Sequence, residues 1–579
     1  NNVGHAVQYL AAADTPSFDP AQQARALTAI ASGPVDTVLF LNSNPEYDRA
    51  QELNTERLFG ARHTVHFGAY DDETAARCQW HLPASHYLEQ WNDVRDWNGV
   101  AAIVQPLIQP LYDGRSDIEV MHLLATGLEA TGYDLVRATW AELLGDRDFD
   151  KSWRQVLVKG YYGDAKSAAA ASIPAAYVPG AGEAKNTTGW EMTLQPSLTL
   201  HDGRFAGNGW LQELPDPITK LAWDNVALLS PKAAQELQVR NGDIIRVQRA
   251  DAAIEIPAWI VPGQAERTVT LTMGYGRRKA GDVGSGVGVN VYPLRRSCSE
   301  YLVGDVTIEK TGEHYEPASA QETDSMHDRP LVRQTTLQDY QHHPEKIREM
   351  VEHPPLQSLW QEHEYRDGYQ WGMVIDLNRC NGCMACVVAC QSENNIPMVG
   401  REQVANGREM HWIRMDRYFT GEGDQAELVH QPVACQHCEM APCEQVCPVA
   451  ATVHDHEGLN VMAYNRCVGT RYCSNNCPYK ARRFNFFNYT AEMAESVKMA
   501  QNPEVTVRSR GVMEKCTYCL QRLTAAKQQA KQQGRPLADG EVKTACQQAC
   551  PMNAISFGNI NDAGAAVSEL KKNPRNYEL

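Results

Sequence analysis

No run of eighteen apolar residues occurs in the 579-residue sequence, so nothing in it reads as a bilayer-spanning helix. The longest strongly apolar pieces, such as Thr37–Leu41 and Ile254–Val261, are strand-sized; if the protein works at a membrane, it docks onto other subunits. Basic residues are in short supply. The 54 Lys and Arg against 71 Asp and Glu leave a net charge of −17, which argues against nucleic acid, whose phosphates would repel the chain. One basic-aromatic run, Lys480-Ala481-Arg482-Arg483-Phe484-Asn485-Phe486-Phe487, lies directly after Cys477-Pro478. It reads better as packing around a metal cluster, with arginines offsetting its charge, than as a base-stacking patch. Cys-x-x-Cys-His is missing: the CxxC units opening at Cys380, Cys435 and Cys516 are followed by Met384, Glu439 and Leu520, which excludes covalent c-type haem on this chain. The opening residues, Asn1-Asn2-Val3-Gly4-His5, include neither Met nor an apolar signal region, and this leaves export undecided.

What the sequence has in abundance is cysteine, in one place. Fifteen of the 17 cysteines fall between Cys380 and Cys550, in four groups. These are Cys380-x2-Cys383-x2-Cys386-x3-Cys390; Cys435-x2-Cys438-x4-Cys443-x3-Cys447-Pro448; Cys467-x5-Cys473-x3-Cys477-Pro478; and Cys516-x2-Cys519 followed by Cys546-x3-Cys550-Pro551. Three close thiolates with a remote fourth before proline follow the bacterial ferredoxin rule, in which the fourth cysteine serves the other cluster. A short loop can wrap three corners of a cubane, but the chain must leave before it closes the fourth. Zinc ribbons use paired CxxC units without the CxxxCP ending, and disulfides would leave an odd cysteine over. Group three is one cysteine short: the spacing of group one would put its second cysteine at position 470, where Thr470 stands. A hydroxyl is a poor iron ligand beside thiolates. The arithmetic of fifteen therefore predicts three 4Fe–4S clusters and one 3Fe–4S cluster. Cys78 and Cys298 are isolated and read as small apolar fillers.

Length predicts about four domains, and the 43% hydrophobic content is that of an ordinary globular protein. Up to residue 150, helix and strand patterns alternate: a helix over Pro20–Ser32, strands at Val35–Leu41, Thr64–Phe67 and Val100–Val104, and helices from Asp71 to Cys78 and Asp117 to Thr131. The alternation predicts an α/β domain with a parallel sheet. Asn44-Pro45, at a strand's carboxyl end, is placed where such sheets bind ligands, although a tight turn explains it equally. Residues 150–205 carry little pattern, and Lys166–Gly182 reads as a surface loop. From Pro196 to Ile308 β-branched runs (Ile244–Val247, Ile254–Val261, Thr268–Met273) alternate with turn signals, as in a small barrel or sandwich. Gly284-Ser285-Gly286-Val287-Gly288 is a weak anion-loop candidate, since it does not join strand to helix. A polar connector with a helical part over Tyr340–Val351 follows; its His342, His343, His353 and His363 read as solvated rather than as metal ligands. Trp371–Asp376 is a strand leading into group one, Val387–Gln391 a helix carrying its fourth cysteine, and Ala545–Cys550 with Ala554–Gly558 repeats that unit at the far end. The outer groups thus form one ferredoxin pair, with the inner groups inserted between them.

Three resemblances follow from these residues. Asn44-Pro45, Leu82-Pro83, Gln105-Pro106-Leu107, Trp210, Asn225, and Leu229-Ser230-Pro231 through Gly242-Asp243 to Pro262-Gly263 resemble the last two domains of the molybdopterin oxidoreductases. The cysteine region resembles the four-cluster electron-transfer subunits of dimethyl-sulfoxide and polysulfide reductases. That likeness implies four ligand sets: Cys380, Cys383, Cys386 with Cys550; Cys516, Cys519, Cys546 with Cys390; Cys435, Cys438, Cys443 with Cys477; and Cys467, Cys473 with Cys447, Thr470 standing at a vacant corner. The fusion of both halves, with Gly407–Trp412 and Cys467–Cys473, looks like the iron–sulfur subunit of bacterial alternative complex III. The expected architecture is therefore multidomain: an α/β molybdopterin-oxidoreductase-like domain over 1–185, a β-barrel over 186–315, a linker over 316–365 and a double-ferredoxin-like α+β iron–sulfur domain over 366–579.

That resemblance implies an electron-transfer subunit of a quinol-oxidising respiratory or photosynthetic complex, with molybdopterin absent and no substrate chemistry on this chain. Its implied partners are an integral-membrane quinol-binding subunit and haem c subunits, at the periplasmic face of the inner membrane after twin-arginine export. The alternative is part of a molybdopterin-dependent reductase of polysulfide or tetrathionate type, with its N-terminal half missing.

Overall fold

The computed structural model describes residues 32–577 except 51–54, 97–98, 146–147, 164–188, 297–300, 353, 356, 358–360, 362, 366 and 422–425, together with Arg25, Ala26, Thr28 and Ile30. Most of the helix expected at Pro20–Ser32, the loop at Lys166–Gly182, Cys298 and His353 lie outside the described residues.

The first 163 residues do not make one parallel sheet. Thr37–Leu41, His63–Gly68 and Trp80–Pro83 pair in parallel, in that order. The expected third strand is instead the centre of a separate antiparallel sheet, Asn92–Arg95, Ala101–Val104 and Tyr161–Tyr162. Asp71–Cys78 closes only one 3₁₀ turn, Ala75–Arg77. Here Asp72 Oδ1 takes the Ala75 N–H, and the chain leaves for the next strand at once. The helix begun at Asp117 has the expected start, a Ser116–Glu119 capping box, but stops at Thr126 because Gly127 turns left-handed at φ +72°. A stretch with little pattern in the sequence forms the helix Phe149–Lys159, whose Trp153 and Val156 are buried against Trp140 of Gly132–Leu144. Phe149 and Leu157 complete its apolar stripe against the same cluster.

The β-branched runs close into a six-stranded barrel. The strand order is Asp243–Arg249, Ala252–Ile260, Ala227–Leu229, Thr268–Thr272, Trp190–Gln195 and Leu302–His314, which returns to Asp243–Arg249. Alternate residues point inward: Met192, Leu194, Ile245, Val247, Ile256, Ala258, Val269 and Leu271 are all nearly inaccessible to solvent. Pro231–Leu237, capped by Ser230 on the Ala233 N–H at 3.0 Å, packs Ala233 and Ala234 against this core.

The connector holds two short helices, Leu337–His342 and Lys346–Glu349, rather than one; His343-Pro344 breaks the run. His342 and His343 are exposed, and His363 stacks on His454 with ring centroids 5.6 Å apart. In the last domain the strand before the first cysteine group, Trp371–Ile375, pairs antiparallel with the strand after the last, Ile555–Asn559. Among the described residues three antiparallel pairs lie between them: Arg414–Thr420 with Glu427–Val433, Thr452–His454 with Asn460–Met462, and Arg483–Phe484 with the distant Met513–Glu514.

Buried polar contacts join the halves. Glu213 accepts the Val399 and Gly400 N–H groups at 2.8 Å each, and Arg401 donates to Asp224 at 2.9 Å. The α/β part meets the barrel through Glu73 and Arg277, 2.8 Å apart. Among the described residues no helix is long and apolar enough to cross a membrane.

Candidate metal centres

All four cysteine loops turn their corners in the left-handed region. Gly382 and Met384 do so in the first (φ +70° and +66°), His437 in the second (+47°), Gly469 and Arg471 in the third (+75° and +64°), and Tyr518 and Cys519 in the fourth (+54° and +53°). Such corners turn successive N–H groups toward the inside of the loop, where they favour an anion. Short helices then present the remaining sulfurs: Ala385–Glu393 carries Cys386 and Cys390, Pro442–Gln445 carries Cys443, Tyr472–Asn475 carries Cys473, and Ala545–Ala549 carries Cys546.

Cysteines far apart in sequence meet. Burial pushes the Cys386 thiol well up, and the neighbouring Cys380, Cys383, Cys546 and Cys550 add to the shift. Cys390, fully enclosed, is raised by burial and then by Cys516, Cys519 and Cys546. Cys438 is pushed up to about 11 by burial, with Cys435, Cys443 and Cys477 contributing. Cys447, Cys467 and Cys473 line one small cavity together with Thr470. Cysteines of all four groups are thus neighbours in space, with Cys546 near both Cys386 and Cys390. Cys380, Cys435 and Cys438 also share the wall of a cavity of about 1080 Å³. Cys78 stands apart from all of these, half-buried, its thiol raised by burial and eased by a hydrogen bond with Thr64.

The donors are soft sulfurs, the set suited to iron–sulfur clusters, and the residues fit such a group in a second way. Backbone amides already point at the sulfurs. Cys447, Cys477 and Cys550 each accept the N–H of the alanine four residues on, Ala451 at 3.2 Å, Ala481 at 3.5 Å and Ala554 at 3.3 Å. Cys390 has no proline after it and Asn394 at the equivalent position, and here the side chain serves: Asn394 Nδ2 is 3.6 Å from Cys390 Sγ and 4.0 Å from Cys519 Sγ. Hydrogen bonds to cluster sulfur tune potential. These donors were not singled out from the sequence, yet the threefold Cys-Pro-x-x-Ala repeat is visible in it. Cys447 departs from the other thiols: burial would raise it, but the N–H groups of Val449, Ala451 and Thr452 outweigh that and hold it below its usual value.

The Gly407–Trp412 motif is scaffold. Glu409 pairs with Arg483 at 2.8 Å, Trp412 Nε1 donates to Glu514 at 3.0 Å, and burial keeps His411 neutral, its pKa pushed down to about 3. In the barrel half, Asn44 is likewise consumed internally, donating to Glu73 and accepting from Thr74. Arg277 donates Nε and Nη2 to Glu73 and Nη1 to the Gly203 carbonyl. A Cβ on Gly276, Gly284 or Gly288 would come within 2.0, 2.4 or 2.7 Å of the protein itself. These groups face the chain's own carboxylate and backbone, whereas a Cβ on Gly286, at the loop's centre, would meet nothing within 4 Å.

Comparison with known proteins bears on both halves. Models of a "4Fe-4S dicluster domain" match residues 379–451 and 426–501, so iron–sulfur is the cofactor class. A "Molydopterin dinucleotide binding domain" matches 206–302, a finding that leans against the expected absence of the pterin. The chain is similar to the menaquinone reductase iron–sulfur cluster-binding subunit of Nitratidesulfovibrio vulgaris, 41% identical over 216 residues, 36% of this chain and 83% of that protein. It is also similar to a putative dimethyl sulfoxide reductase iron–sulfur subunit of Halobacterium salinarum, 37% identical over 202 residues, 34% of this chain and 70% of that one. A third relative is the Hdr-like menaquinol oxidoreductase iron–sulfur subunit 1 of Archaeoglobus fulgidus, 33% identical over 225 residues, 36% of this chain and 77% of that one. The chain belongs to the family of iron–sulfur electron-transfer subunits that these reductases and menaquinol oxidoreductases share, with a molybdopterin-type barrel domain on the same polypeptide.

Proposed function

We propose that this chain is the electron-transfer subunit of a quinol-oxidising membrane complex of the alternative complex III type. Three 4Fe–4S clusters and one 3Fe–4S cluster would be held by the four cysteine sets above. The observation that supports this reading is that Thr470 lines one small cavity together with Cys447, Cys467 and Cys473. Iron–sulfur clusters, when bound, supply one-electron redox stations. The chain's own residues bury Cys386, Cys390, Cys443, Cys477 and Cys519 and aim N–H groups at Cys447, Cys477 and Cys550. The barrel half serves as a docking scaffold without pterin, in keeping with the saturated Arg277–Glu73 loop. Quinol chemistry belongs to an integral-membrane partner and onward transfer to haem c subunits, at the periplasmic face. Electron paramagnetic resonance of the oxidised protein tests this directly: a three-iron signal is expected, and its absence would sink the reading of Thr470.

A second reading has one observation in its favour, the molybdopterin dinucleotide match over 206–302. On that reading the chain is part of a pterin-dependent reductase. Molybdenum or tungsten near one per chain in the purified assembly would select it; iron and haem without either metal would select the first.

A further inference from the structure

The cluster domain pairs buried cations with carboxylates at two places and departs from this beside the cysteines, at Lys515 and at Arg482. Arg508 lies 2.8 Å from Glu514, both side chains wholly buried, and Arg483 meets Glu409 at 2.8 Å. Arg482 is only 5% exposed, yet among the described residues it makes no ion pair, and its Nε has no hydrogen-bond partner. Its Nη1 lies 3.3 Å from Cys443 Sγ and 3.5 Å from Thr452 Oγ1, and Nη2 lies 3.4 Å from Met462 Sδ. The same side chain lines the small cavity that holds Cys447, Cys467 and Cys473. One guanidinium thus touches a sulfur of the second site and walls the third.

A guanidinium keeps its proton in any protein environment, and a buried charge without a counter-charge is strongly destabilising. The groups beside this one are sulfurs. We propose that Arg482 is the shared counter-ion of the two inner clusters and raises the reduction potential of both. The inference rests on the assignment of iron–sulfur clusters to these two cysteine sets. One-electron reduction, with the electron taken from an external reductant, adds one negative charge to a cluster and moves no proton. A fixed neighbouring cation stabilises the reduced form more than the oxidised form. In a dry interior that stabilisation is little screened. Because the guanidinium borders both sites, its loss reaches both at once.

The experiment is a mediated redox titration of the whole assembly, followed by electron paramagnetic resonance, on wild type, Arg482→Gln, Arg482→Met and Arg482→Lys. Both inner clusters should become at least tenfold harder to reduce in the two neutral variants, about 59 mV for a one-electron couple. The two outer clusters should not move, and Arg482→Lys should lie between wild type and the neutral variants. Inner potentials that stay put, that move at one site alone, or that move together with the outer ones would overturn the proposal. If the neutral variants lose the inner clusters while Arg482→Lys keeps them, the demand for charge is met in assembly itself and the proposal stands. If Arg482→Lys loses them too, the role is steric and the proposal falls. Zinc or cystine in place of iron in the wild-type inner sites would refute the cluster assignment instead.

Discussion

The junction between barrel and cluster halves should loosen as the pH rises toward 7, because of Glu213. Its side chain is completely buried, and it accepts the Val399 and Gly400 N–H groups. Burial dominates and pushes the carboxyl up to about 7 from 4.5; the two amides offset only part of this, and the negative Glu409 adds to it. A folded-state pKa above the unfolded one means that the protonated carboxyl is what the fold favours. Its stabilisation is complete below pH 4.5, declines as the pH rises from there, and is gone above about 7. A tenfold difference in proton affinity between the folded and unfolded states is worth about 1.4 kcal/mol, so the whole effect is about 3 kcal/mol, of which about 2 kcal/mol falls between pH 5.5 and 8. Glu213→Gln keeps an oxygen for the two amides and has no proton to lose. Hydrogen exchange at the Val399 and Gly400 amides reads the junction locally, which suits a multidomain chain better than a single melting curve. The opening free energy of the variant should gain about 2 kcal/mol on that of wild type across this window. Parallel pH profiles for the two proteins would refute the argument, whatever their offset.

Other consequences can be checked independently. Thr470→Cys should convert the three-iron signal toward a four-iron one; an unchanged signal would place the vacant corner elsewhere. Anaerobic removal of iron should unfold the cluster domain, read by circular dichroism, because the Cys386, Cys390 and Cys516 thiols then revert to the protonated form that their burial favours and Arg482 is left unopposed. Glu73→Ala should cost the α/β–barrel contact about 3–5 kcal/mol in denaturant unfolding by stranding Arg277. In wild type, burial opposes ionisation of Glu73, but the bonds from Arg277, Asn44 and Lys279 hold its carboxyl down to about 2. That contact is therefore fully present above pH 4.5 and lost only as the pH falls from there through about 2.

The cysteine half was more legible in the sequence than the half before it, for a physical reason. Metal-binding loops are local: ligand spacing, the left-handed corner and the following helix all fall within about a dozen residues, so Cys380–Cys390 and its repeat at Cys546–Cys550 stand out directly. The barrel was legible through period-two alternation, as in Ile245, Val247 and Ile254, Ile256. The first domain was not, because its strands are two to six residues long and the partner of each lies elsewhere. Val100–Val104 looks the same whether it joins a parallel sheet or an antiparallel one; Trp140 and Trp153, packed 6.2 Å apart, decide that through contacts no short window contains. The Cys-Pro-x-x-Ala amide bonds lay in plain view but needed the geometry of a turn to acquire meaning.

Where the chain keeps buried charge unpaired also separates its two halves. In the barrel half and at the junction, Arg277 is matched by Glu73, Arg401 by Asp224 and Arg417 by Asp324. Lys220, buried at the junction with no hydrogen-bond partner at Nζ, is the exception there. Burial and then the nearby Arg417 bring its pKa down to about 8, outweighing the opposing pull of Asp216 and Asp416. Beside the cysteines the solution is different. Lys515 is completely buried, its Nζ spent on the Cys516 carbonyl at 2.8 Å, and Arg482 cannot shed its proton at all. Among the described residues neither makes an ion pair, so the negative charge that balances them must arrive with what the cysteines hold. The interior of this domain is electrically complete only with its metal clusters in place.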